Sequence, residues 1–82
     1  MKLNELQNGQ SGIIIQNIHS NPMKQRLFDL GLTTGSIIQC GYRSPYGDPV
    51  AYYIHGTIIA LRKEDCEKIF VEDLPWKNIA LD

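Results

Sequence analysis

The sequence predicts a mostly β domain, a small barrel of about five short strands with a helix inserted after the first. Three observations lead there. Five short runs rich in β-branched or aromatic residues recur along the chain: GIIIQNI, SIIQCGY, VAYYI, TIIAL and FVEDL. Turn formers separate them, and only one stretch between them carries a helical period. At 82 residues the chain is sized for a single domain with a small core.

Each element follows from its local chemistry. Leu3 and Leu6 precede turn signals at Asn8-Gly9 and Gly12, after which GIIIQNI reads as the first strand. In HSNPMKQRLFDLGL the period changes. Asn21 is placed to cap a helix whose first position is Pro22, and Met23, Leu27 and Leu30 fall on one face. Gly31 suits the left-handed position just past a helix end, with Leu32 packing back on the last turn. Thr33-Thr34-Gly35 turns the chain into SIIQCGY. Leu32 is then either a core plug or an exposed knob at a rigid corner.

RSPYGDPV, with Pro45, Gly47 and Pro49, must be a loop. VAYYI and TIIAL around His55-Gly56 form a β-hairpin, in which Val50, Tyr52 and Ile54 share one face. RKEDCEKI gives one or two helical turns with Cys66 and Ile69 on the buried side, and FVEDL is the last strand. Pro75 breaks that strand. The tail PWKNIALD still carries Trp76, Ile79 and Leu81, so it is expected to fold back on the domain or dock on a partner.

Composition narrows the function classes. Eight basic and nine acidic residues leave a net charge of −1, which disfavours binding to a phosphate backbone. The apolar runs are far shorter than the ~20 residues a bilayer span needs, so a soluble protein without membrane insertion is expected. Cys40 and Cys66 lack CxxC spacing and sit among apolar residues, with no secretory leader pattern at the N-terminus. They read as free, buried thiols of a cytoplasmic protein.

No Walker loop, GxSxG or HExxH occurs, and a barrel this small has little room for a walled pocket. An enzyme is not expected. Neither is a cofactor or a metal site: His19, Cys40, Asp48, His55, Cys66 and the pairs Glu64-Asp65 and Glu72-Asp73 lack the short spacing of ligand sets, and both histidines fall in turns where they are expected to be solvated. Arg26 and Arg62 are the candidates for a guanidinium offered to a GTPase, against the alternative that each pairs with nearby acids.

The segments LNELQNGQSGIII, RLFDLGLTTGSII and SPYGDPVAYYIHGTIIALRKEDCEKIFV, in that order over roughly residues 3 to 72, resemble the FeoA family of bacterial ferrous iron transport. The resemblance implies an SH3-like barrel over residues 1–74 with a C-terminal tail at 75–82. It also implies a cytoplasmic accessory role beside FeoB, a permease with a cytosolic GTP-binding domain. The same domain type closes metal-dependent repressors of the DtxR kind, so a metal-responsive or self-associating module is the alternative. No helix-turn-helix precedes the barrel, which favours the freestanding form. Three features depart from the family pattern: Cys66 replaces a small apolar residue, Tyr46 an aliphatic one, and the last ten residues lie outside it.

SH3-like barrels engage partners through loops and strand edges. Two places here are expected to do so, with a homo-oligomer as a further option. One is the corner with its helix flank: Arg26, Leu30, Gly31, Leu32 and Thr33. The other is the proline-stiffened loop: Pro45, Tyr46 and Asp48. Against this, Tyr46 could pack on its own barrel and Asp48 could simply bind loop amides.

Overall fold

The computed structural model describes residues 1–74; the expectations for Trp76, Ile79 and Leu81 lie outside the described residues. A 3₁₀ turn at Leu3–Glu5 leads into five strands: β1 (Ser11–Asn17), β2 (Ile37–Arg43), β3 (Val50–Ile54), β4 (Thr57–Leu61) and β5 (Ile69–Asp73). Helix α1 (Met23–Asp29) lies between β1 and β2, and the single turn α2 (Lys63–Cys66) between β4 and β5. The strands form one antiparallel sheet in the order β4-β3-β2-β1-β5.

All five strands feed one apolar cluster. It takes Ile14 from β1, Ile38 and Cys40 from β2, Val50, Tyr52 and Ile54 from β3, Ile59 and Leu61 from β4, and Ile69 and Val71 from β5. Since β4 and β5 stand at opposite edges of the sheet yet share this core, the sheet must wrap around it. Two bulges supply curvature, between Ile14 and Gln16 in β1 and between Cys40 and Tyr42 in β2. The hairpin turn His55-Gly56 has positive φ at both central residues, 50° and 76°, as a tight two-residue connection requires.

The outer edge of β5 is closed by the start of the chain. The Met1 amine donates to the Val71 carbonyl at 3.0 Å, Val71 N–H donates to Met1 O at 2.8 Å, and Lys2 bridges to Phe70. Arg43 fixes the turn behind it, its guanidinium donating to the carbonyls of Asn4 (3.1 Å) and Leu6 (2.7 Å).

The start of α1 differs from expectation. Pro22 stands at the N-cap position with helical φ and ψ, no side chain caps the first turn, and Asn21 lies one residue further out. The helix end matches in detail. Gly31 has φ +95°, Gly31 N–H donates to Phe28 O (2.9 Å) and Leu32 N–H to Leu27 O (3.0 Å), the paired bonds of a Schellman closure. This closure settles the two readings of Leu32. It turns the side chain inward beside Leu27, and at 2% exposure Leu32 is a core plug, not a knob.

Leu30 continues the period of Met23 and Leu27, but the helix ends at Asp29, so Leu30 lies in the cap and is 45% exposed. His19 was expected in a solvated turn. Instead it is buried, with Nε2 donating to the Asp65 carbonyl at 2.8 Å, which ties the chain after β1 to α2.

Tyr52 is the largest fully buried side chain among the described residues, and the Cys66 thiol donates to its hydroxyl at 3.5 Å. Burial, the dominant cause, pushes the Cys66 thiol up to about 11 and drives the Tyr52 phenol upward too. Desolvation likewise raises Cys40, against an opposing pull from Arg43.

Two outcomes follow from this core. Leu32→Ala removes a plug from a domain of modest total stability, so it should cost about 2–5 kcal/mol, read as a lower urea midpoint. In alkali, the unfolded thiol and phenol ionise while their folded counterparts hold their protons. Stability is therefore fully present below pH 9 and falls as pH rises from there toward 11, by at most about 1.4 kcal/mol per pH unit for each group. Cys66→Ala should flatten that decline; urea midpoints measured from pH 7 to 11 would show it.

Candidate functional site

The two expected partner surfaces are built at opposite ends of β2. The corner Gly31–Ser36 enters the strand and the loop Ser44–Pro49 leaves it, so seven residues of extended chain, about 20 Å, hold them apart. They are two surfaces and not one.

At the entry end, Gly31 is held by more than its own backbone. A Cβ there would lie 2.6 Å from His55 Cδ2, so the ring of the β3–β4 turn leans directly on the glycine. His55 Nε2 also approaches the buried Ser36 hydroxyl at 3.4 Å, and Ser36 shares a 2.8 Å hydrogen bond with Thr33. Thr33 is therefore part of the brace and only partly open to solvent. Arg26 is exposed on the flank of α1.

Beside this corner lies a groove of about 500 Å³ between β1 and α1, floored by Leu32 and lined by Ile15, Asn17, Lys24, Phe28 and Thr33. Phe28 is 59% exposed on its rim, an anchor that the reading of the helix missed. The available signal was its position next to Leu27 and off the Met23-Leu27 stripe. An apolar side chain there points away from the core.

At the exit end, Tyr46 is 96% exposed, which rules out packing on its own barrel. Pro45 is exposed beside it. Asp48 has a structural task. Its Oδ1 accepts the backbone N–H of Lys63 at 2.8 Å, capping the first turn of α2 from a distance of fifteen positions in sequence. This is the amide-binding alternative, with the amide on a helix instead of in the loop.

Metal chemistry finds no built site here. Among the described residues no group of three or more His, Cys, Asp or Glu side chains could hold an ion. Both cysteines are free and buried. Among the described residues no helix is long and apolar enough to cross a membrane.

The sequence matches the FeoA domain family over residues 1–73. The chain belongs to the FeoA family. It is 33% identical over 72 residues to a fusion of Fe(2+) transport protein A with the Fe(2+) transporter FeoB from Porphyromonas gingivalis, covering 88% of this chain and 8% of the fused protein. It superimposes on the FeoA protein of Chlorobium tepidum with a TM-score of 0.86 at 31% identity, covering 90% of this chain and 70% of that one. Zinc-complexed FeoA of Stenotrophomonas maltophilia, described as an SH3 domain protein, matches with a TM-score of 0.75 at 28% identity, covering 88% and 89%. FeoA domains are accessory domains of ferrous iron transport, and the SH3-like architecture of this chain is the family's.

The capping assignment has a direct consequence. Asp48→Ala should lower the stability of the domain by about 1 kcal/mol. A urea titration of the variant checks it; no loss would mean that the α2 cap contributes nothing.

Proposed function

We propose that this chain is a non-enzymatic accessory module of bacterial ferrous iron uptake, docking in the cytoplasm on the cytosolic part of a FeoB-type permease and modulating transport. The observation that carries this reading is the fused relative, in which a homologous domain and the transporter share one polypeptide. Covalent linkage holds two modules at an effective concentration on the order of mM, which makes sense where the two touch. The chain spans only 8% of that relative, so the transporter is not part of the match.

The docking surface is the entry end of β2: Arg26 and Phe28 on α1, with Leu30, Gly31 and Thr33 at the corner. Phe28 and Leu30 are apolar and exposed, and an anchor of this size contributes about 2 kcal/mol or more when a partner pocket desolvates it. The corner is braced by the Schellman closure and His55, so little ordering is lost on binding. The chain acts here as a binding module; among the described residues no group of three or more His, Cys, Asp or Glu side chains could hold the transported iron. It acts by binding one state of the permease better than another, and a tenfold shift between states needs only about 1.4 kcal/mol of preference. Tyr46 and Pro45 belong to a separate surface and take no part in this contact.

Titration calorimetry against the permease's soluble cytosolic region, with and without guanine nucleotide, tests the reading. Phe28→Glu should weaken binding about tenfold or more while leaving the urea midpoint unchanged. Tyr46→Ser should leave the affinity unaltered. Absence of binding by the unmodified chain under every nucleotide condition would overturn the proposal.

A further inference from the structure

The two edges of the sheet are finished differently. The β5 edge is met by Met1 and Lys2, and its last two residues are the exposed acids Glu72 and Asp73. Both features keep a further strand from adding there. The β4 edge has neither. Among the described residues no strand lies beyond β4, and Thr57–Leu61 holds no charge, no proline and no bulge.

The hairpin register decides which groups this edge presents. Ile54 and Thr57 flank the two-residue turn as a hydrogen-bonded pair, so Ile59 and Leu61 also bond to β3. Ile58 and Ala60 then turn their N–H and C=O groups outward, away from β3. Their side chains are exposed on the outer face of the sheet, while Ile59 and Leu61 enter the core. Ile58 stands beside exposed Tyr53 across the β3 pairing, and Ala60 beside Ala51, whose other neighbour is exposed Tyr42. Open backbone groups and an apolar face thus occur together at one edge.

We propose that this edge pairs antiparallel with the β4 edge of a second copy of the chain, about a two-fold axis at Ile59. Ile58 then lies opposite Ala60 of the second copy, and Ala60 opposite its Ile58. Each outward N–H and C=O group gains the hydrogen bond that β3 does not supply. A large side chain meets a small one at both places, and Thr57 meets Leu61. Arg62, the first charge past the strand, falls opposite Gly56, which has no side chain to crowd it. A net charge of −1 per chain leaves little repulsion between copies. An isologous contact needs a surface that complements itself, and this segment does so in length, side-chain size and charge. The contact is short, well below the roughly 1,200 Å² at which stable interfaces begin, so the dimer is weak and concentration-dependent. Helix α1 with Phe28 takes no part in it. This inference goes beyond the permease-docking reading and does not rest on it.

Sedimentation velocity of the full chain, from on the order of 1 μM to on the order of 1 mM, should show a monomer–dimer equilibrium. Over the same range the Ile58 and Ala60 amides, followed by NMR hydrogen exchange, should pass from fast to slow exchange. Ile58→Lys puts a charge beside the edge and should raise the dimer dissociation constant about tenfold or more, with the urea midpoint unchanged. Phe28→Glu should leave self-association unaltered. The proposal fails if the chain stays monomeric throughout, or if a dimer forms while both amides still exchange freely. It fails equally if Ile58→Lys leaves the dimer intact or Phe28→Glu abolishes it.

Discussion

The left-handed turn at Gly31 is the constraint on which the domain's shape depends. Helix α1 has seven residues, too few to persist in water on its own, and no side chain caps its start. Its stability must come from its other end. There the Schellman bonds from Gly31 and Leu32 close the last turn, and Leu27 and Leu32 enter the core side by side. A residue with a Cβ would resist φ of +95° at a cost of about 1–2 kcal/mol and would also strike the His55 ring. Helix, corner and hairpin turn therefore form one rigid unit. With Leu27 turned inward, Phe28 is turned outward by the same helical geometry.

That unit explains why an exposed apolar corner survives in a small domain. Large apolar side chains at the surface contribute nothing to folding and invite association. Phe28 and Leu30 stand at a helix end fixed from two directions, by Leu27 and Leu32 beneath and His55 alongside. Tyr46, by contrast, extends from a loop whose other polar residue, Asp48, is engaged in capping α2. The first surface is apolar and braced. The second is a single aromatic on a loop with a structural duty. The 20 Å of β2 between them means that a partner gripping one need not feel the other.

Much of the fold was legible because its signals are local. Alternation in VAYYI and TIIAL, with glycine at the turn, placed β3 and β4 at their observed bounds. Period two put Val50, Tyr52 and Ile54 on one face, and the structure shows that this face is the inward one. What failed were properties set by distant contacts. His19 is buried because α2, forty-six positions away, offers the Asp65 carbonyl, and no local pattern announces that. Leu30 fits the helical stripe, but its exposure depends on which residue ends the helix, and boundaries are the weakest part of such readings. Leu32 remained undecided for the same reason. Gly31 predicted the turn, but only the bond to Leu27 O fixes which way the next side chain points. The separation of the two surfaces needed the pairing of β2 with both neighbours, again a long-range fact.

The missed long-range contacts have a common feature: a polar group meets a backbone atom far off in sequence. Arg43 reaches the carbonyls of Asn4 and Leu6, His19 that of Asp65, and Asp48 the amide of Lys63. Each satisfies a backbone group at the end of a short turn, where no regular ladder is available to do so. A barrel of this size has a core too small to hold its short connections by apolar burial alone. His19 and Asp48, two side chains that might have read as ligands, are therefore committed to the scaffold, while Phe28 and Leu30 face outward. With its short turns held in this way, the domain keeps Phe28 and Leu30 exposed at a rigid corner.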